Sequence, residues 1–291
     1  MIPKTTNRRD IDSGWAWVVL VAVYLGMVIY CFLLYMSGIL YIALLDRYGE
    51  SETKTSLVGA ISTGLLCFLG PFAGGLNNKF SCRFSIVIGG FLTSVGCCAS
   101  ALASSLDVII VTAGVLVGAG FGIASSGLIC VLGFYFERWR NLTLSCAFLV
   151  VGFAMFLSAP VGLYLVETFG LTQTFFILAA AELQLCVIGA VCRPSAIELD
   201  VQRRKRVDRE NRTQSVLKSY IDFSLTKNFS YLFFLVSTAA WNFALTVAII
   251  HLPNYVTKLG GGSRNIGIIM TGVFHCQSYR PRARIYYDKQ I

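Results

Sequence analysis

The sequence predicts an all-α protein that crosses a membrane many times, and three observations carry that reading. Of its 291 residues, 56% are hydrophobic and only 13% charged, with a mean hydropathy of +0.69. That leaves too little polar surface to wrap a soluble globule of this length. The apolar residues also gather into runs that reach or exceed the roughly 20 residues a helix needs to cross a hydrocarbon core about 30 Å thick; barrel strands are about half as long. Finally, one long polar run, Arg193 to Asn228, follows six apolar runs and precedes one complete run and part of another.

The elements follow in order. Residues 1–14 form a polar N-terminus with Lys4, Arg8 and Arg9, expected in the cytoplasm. The apolar segment after it is far longer than a signal-peptide core and lacks a small-residue cleavage site, so it is retained as the first span, Trp15 to about Leu45. The second span covers Leu57 to Leu76, the third Phe84 to Leu106, the fourth Val108 to Phe136, the fifth Leu142 to Val166 and the sixth Leu171 to Cys192. These make residues 15–193 a six-helix bundle, followed by a basic cytoplasmic loop at 194–228. Residues 229–274 begin a second bundle, with a full seventh span from Phe229 to Leu252 and an eighth that turns polar after Phe274. An atypical polar tail occupies 275–291.

Basic residues fix the orientation. With the N-terminus inside, sixteen lysines and arginines face the cytoplasm, among them Lys79, Arg83, Arg138, Arg140 and Arg193, against four outside, Arg47, Lys54, Lys258 and Arg264. That asymmetry obeys the positive-inside rule, opposes a seven-helix receptor with an outside N-terminus, and accounts for the net charge of +9 through the bilayer, with no nucleic acid. Asp107 and Glu167 stand alone in two of the outer loops. The glycosylation triplets at Asn141, Asn211 and Asn228 fall inside and read as chance matches. Most of the ten cysteines lie in apolar runs, where a thiol packs as a small hydrophobe, and His251 and His275 are too scattered for a metal site. Neither a nucleophile–base pair nor a phosphate loop appears, so the expectation is no enzyme, no cofactor and no catalytic residue.

Within the spans, Gly114, Gly118 and Gly122 recur at four-residue spacing with Gly120 among them, a small-residue face for close helix packing. Pro160 in the fifth span removes a helical hydrogen bond and predicts a kink. Glu182, near the middle of the sixth span with Gln184 beside it, is the clearest ionisable residue at membrane depth; such a carboxyl is costly unless a cavity or partner receives it. The expected lining of a solute pathway is Tyr30, Tyr35, Glu182, Trp241 and Asn242.

Four short patterns then point one way. Asp12-Ser13-Gly14-Trp15-Ala16-Trp17 resembles the signature at the entry to the first helix of the monocarboxylate transporter family, a branch of the major facilitator superfamily, with Ser13 in place of a glycine. Gly74 to Arg83, with Asn78 and Lys79, resembles the superfamily's loop between helices two and three, and Asn78 stands where the monocarboxylate branch has asparagine. Tyr135 to Leu142, with Arg138 and Arg140, is similar to the family's stretch between helices four and five, and Leu185 to Pro194 to its close of the sixth helix, ending in Arg193-Pro194.

The resemblance implies two six-helix bundles around a cavity that opens to either side in turn, and gating roles for Asp12, Gly14, Trp15, Trp17, Asn78, Lys79, Arg83, Arg138, Arg140 and Arg193. It implies transport of monocarboxylates or related solutes, lactate-like or aromatic amino-acid-like, coupled to protons, in the plasma membrane. Proton–lactate carriers of this family have a lysine in the first helix. No basic residue stands between Trp17 and Arg47 here, which keeps open members that carry aromatic amino acids or thyroid hormone. Because the resemblance fades after Phe274, the chain reads as C-terminally truncated. The alternative to transport is therefore an inactive half-carrier that binds a full-length carrier or a single-span accessory glycoprotein.

Overall fold

The computed structural model describes residues 14–193 and, past them, Glu198, Phe233, Val236, Ser237, Ala240, Ala244 and Val247, without the side chains of Pro71, Asn78 and Lys79. Asp12, Trp241, Asn242, the continuous seventh span, the eighth run and the tail lie outside the described residues.

Apolar content makes the helices and polar punctuation ends them. α1 spans Trp15–Tyr48 and stops at Gly49, whose φ of 61° is the left-handed C-cap that glycine adopts freely. α2, Glu52–Lys79, starts at Ser51, whose side chain accepts from the Lys54 amide. Ser81 caps α3, Cys82–Ala101, in the same way through Phe84. α4 runs Leu106–Tyr135 and contains a π-helical segment over Ile110–Leu116. One long helical stretch, Arg140–Val191, breaks at Gly170, with φ 76° and ψ 168°, so it is two helices, α5 (140–169) and α6 (171–191). The Thr174 hydroxyl bridges that break, bonding the carbonyls of Leu165 and Gly170. At Pro160 the backbone keeps helical dihedrals; the dihedral break at Gly170 falls at the expected junction of the fifth and sixth spans, where glycine can take the required φ.

The six helices follow the six expected spans with their ends shifted by a few residues. Their buried side chains form two stacked layers. A near layer at the N-terminal end of α1 joins Val19, Val23, Ile86, Leu132, Leu185 and Cys192. A far layer joins Met36, Leu40, Cys97, Phe121, Ala159 and Phe175. α5 leaves the near layer at Ala147 and reaches the far one at Ala159, and α6 returns from Leu171 to Cys192.

Glycines set how closely the helices approach. A Cβ on Gly118 would meet the Ser62 Cα at 2.6 Å, and one on Gly122 the Leu69 Cβ at 3.0 Å, so the four-residue stripe of α4 packs on α2. Gly120 points elsewhere, against Thr93 and Gly89 of α3. Small residues on both faces of α4 let it lie between two backbones, the packing that replaces hydrophobic drive inside lipid. At the far end, Asp107 does not stand alone: it pairs with Lys54 at 3.0 Å, and Arg47 bonds Thr172 at 2.7 Å.

Candidate functional site

Three places hold the chemistry. The first is a cleft in the far layer between α1, α2 and α4, floored by Cys97 and Phe175. It opens to its surroundings and is lined mostly by apolar side chains. Its walls carry the hydroxyl-bearing residues Ser37, Tyr41, Thr55 and Ser62 among apolar residues and the ring of Phe121, and among the described residues no charged side chain lines it. Such a lining can take the apolar body and neutral polar groups of a solute, and offers no counter-charge to an anion.

The second is the seam between α3 and α6, where the layers meet. Glu182 is buried there at 1% exposure. Gly90 makes this possible: a Cβ on it would stand 2.6 Å from the Leu185 Cβ and 3.4 Å from the Glu182 carbonyl, so α3 and α6 nearly touch. The Thr93 hydroxyl donates to Glu182 Oε2 at 3.2 Å, yet also lies 2.9 Å from the Gly90 carbonyl and 3.1 Å from that of Gly89. One hydroxyl proton cannot serve three acceptors at once. Glu182 Oε1 has no hydrogen-bond partner among the described residues. Tyr30 and Cys31 of α1 and Cys97 of α3 lie within electrostatic reach of the carboxyl. Gln184 is exposed on the opposite side of α6.

The third is the near end, where the signature residues assemble. Trp15 receives the Arg193 guanidinium 4.9 Å above its ring, Trp17 meets Phe136 edge-on at 5.8 Å, and the Tyr135 hydroxyl donates to the Arg193 carbonyl. This ties the start of α1 to the ends of α4 and α6. Arg138 lies over Trp139, and Arg140 packs beside Gly133. Arg83 is exposed, within electrostatic reach of Cys192. Gly14 precedes α1 with a positive φ of 50°. Asn78 and Lys79 end α2, with side chains outside the described residues.

Sequence reasoning missed two members of these sites. Glu198, a member of the polar run, is 4% exposed and accepts from the Cys82 amide at 2.8 Å, capping α3. Thr93 carries no signal of its own, because serines and threonines are frequent in membrane helices. Of the expected pathway residues, Tyr30 stacks edge-on against Phe121 at 5.1 Å and so backs the cleft wall from behind, while Tyr35 lies half-buried on the same helix. Further along α1, Ser37 and Tyr41 line the cleft, about two and three turns beyond Tyr30.

Comparison with known proteins follows the same lines. A family profile described as Major Facilitator Superfamily matches residues 23–276. The chain is 32% identical over 201 residues to monocarboxylate transporter 14 of Mus musculus, across 67% of this chain and 39% of that protein. It is 34% identical over 195 residues to monocarboxylate transporter 6 of Homo sapiens, across 67% and 38%. With monocarboxylate transporter 12 of Xenopus laevis it shares 30% over 197 residues, across 68% and 43%. The chain thus spans about two fifths of the length of these curated relatives. Among solved structures, a D-xylose-proton symporter superposes with a TM-score of 0.65 at 15% identity, covering 95% of this chain and 70% of that one. A peptide transporter POT in complex with sulfate gives 0.54 at 16% identity, covering 81% and 46%. At such identities these two likenesses bear on the fold alone.

Proposed function

Since the chain belongs to the major facilitator superfamily, we propose that its six described helices form the first bundle of a secondary carrier that moves small organic solutes across a membrane by alternating access. The observation that carries this reading is the cleft between α1, α2 and α4, with hydroxyls and aromatic rings and, among the described residues, no charge. Its lining suits the apolar body of a monocarboxylate or of an aromatic amino acid, and the similarity to monocarboxylate transporters supports the same solute class. A solute carboxylate needs a positive partner, which this cleft does not offer; the second bundle of the fold is its expected source. The basic residues at the near end, Arg83, Arg138, Arg140 and Arg193, support an N-terminus in the cytoplasm. The plasma membrane is the proposed location.

The test is uptake of labelled lactate, pyruvate and tryptophan by cells that display the full chain. Accumulation above vector-only cells that falls when Ser37→Phe plugs the cleft supports the carrier. A chain that reaches the surface and accumulates none of the three overturns transport by this polypeptide and favours a membrane bundle that acts by binding another protein.

A further inference from the structure

The seam and the cleft differ in one respect that the fold does not require. The bundle interior holds a carboxyl group, and it sits outside the cleft, packed where α3 and α6 come closest. A carboxylate at this depth needs several donors or a cation. Glu182 has neither among the described residues: Oε1 is unpartnered, and the one hydroxyl near Oε2 is shared with two backbone carbonyls. The described elements packed around it add no charge at this depth. α1 brings Tyr30 and Cys31 and α3 brings Thr93 and Cys97. The charged residues of α1, α3 and α4 stand at helix ends, at Asp46, Arg47, Arg83 and Asp107.

Adding a proton repairs this inventory. A neutral acid donates from Oε2 to the Thr93 oxygen, Thr93 gives its own proton to the Gly90 carbonyl, and Oε1 becomes a carbonyl oxygen with a much smaller desolvation cost. Every buried donor then has an acceptor. A path to the solute also exists: Tyr30, half-buried, lies in reach of Glu182 on one side and stacks edge-on against the cleft residue Phe121 on the other, and Cys97 belongs to both surroundings.

We propose that Glu182 is a proton-binding site of this bundle, set apart from the solute cleft and communicating with it through Tyr30, Phe121 and Cys97. The step is the gain of one proton from water on one side of the membrane and its return to water on the other; only an O–H bond forms and breaks, and no electrons move. As a coupling site for flux the proposal rests on the carrier reading above, but the occupancy of Glu182 can be read without any transport.

Infrared difference spectroscopy on the purified full chain in lipid tests it directly. The expected result is a carboxylic-acid carbonyl band that shifts down on exchange into deuterated water, converts to carboxylate bands as the pH is raised and is lost in Glu182→Gln. Thr93→Val is expected to shift that band, because it removes the acid's acceptor, and this variant serves should Glu182→Gln fail to fold. A chain without such a band, a band unaffected by both variants, or carboxylate bands that respond to sodium and not to protons overturns the proposal and leaves the cleft reading untouched. The band present in a chain that moves no solute supports the proton site and counts against the carrier.

Discussion

The α3–α6 seam and the α1–α2–α4 cleft are built from the same materials, apolar helices with glycines and hydroxyls, and reach opposite ends. In the seam, Gly90 removes the side chain that would hold α3 and α6 apart, and the helices close over Glu182. Across the cleft, the stripe on α4 brings α2 close at Gly118 and Gly122, but at Gly114 a Cβ would find Ile61 no nearer than 3.5 Å. The helices therefore diverge toward the far end, and the space between them stays open. Closeness places the ionisable group; divergence leaves the room that the proposed carrier would use for its solute, and the two occupy different helix pairs.

The sharpest way to break this contrast is to add one methyl group on each side of it. Gly90→Ala forces α3 from α6 and is expected to cost about 1–3 kcal/mol of stability, the range for overpacking a filled core; Gly114→Ala meets ordinary contact and should leave the melting temperature in detergent unchanged. Equal shifts for the two would mean that the seam is no tighter than the cleft. Ser37→Phe fills the open region and is expected to weaken binding of labelled tryptophan roughly tenfold, about 1.4 kcal/mol, with no loss of melting temperature. A smaller effect of opposite sign is expected from Glu182→Leu, which replaces a carboxyl holding an unpartnered oxygen with an apolar side chain of similar length and should stabilise the bundle by on the order of 1 kcal/mol. If it destabilises, Glu182 serves the packing of α3 on α6 and little else. The smallest effect belongs to Lys54→Ala: the pairs with Glu50 and Asp107 lie on the surface in water, and no measurable change in melting is expected.

Much of the fold was legible in the chain because each helix announces itself locally. Hydropathy located the six spans to within a few residues, and the glycine stripe of α4 was visible as spacing. The signature patterns around Trp15, Trp17, Tyr135 and Arg193 read as separate matches, and the fold joins them into one contact cluster. What stayed hidden depends on register between helices distant in sequence. Thr93 meets Glu182 across 89 positions and Glu198 caps Cys82 across 116, and no local pattern fixes such pairings. The partner of the α4 stripe was invisible for the same reason, as was the role of Gly120, which faces α3 and not α2. Pro160 drew the expectation of a kink, yet the dihedrals there stay helical, because proline is tolerated inside a membrane helix; the break at Gly170 falls between the expected fifth and sixth spans, with φ 76° and ψ 168° open to glycine almost alone.

If solute and proton are handled at separate places in one bundle, equilibrium binding to the purified full chain will tell the two apart. Labelled lactate and tryptophan would be titrated at acidic and at neutral pH against the parent chain, Ser37→Phe and Glu182→Gln. The parent affinity is expected to change with pH, Ser37→Phe to weaken binding at both pH values while keeping that change, and Glu182→Gln to bind with the acid-side affinity at both. If Glu182→Gln weakens binding at both pH values as Ser37→Phe does, the carboxyl belongs to the solute site and the separation is wrong.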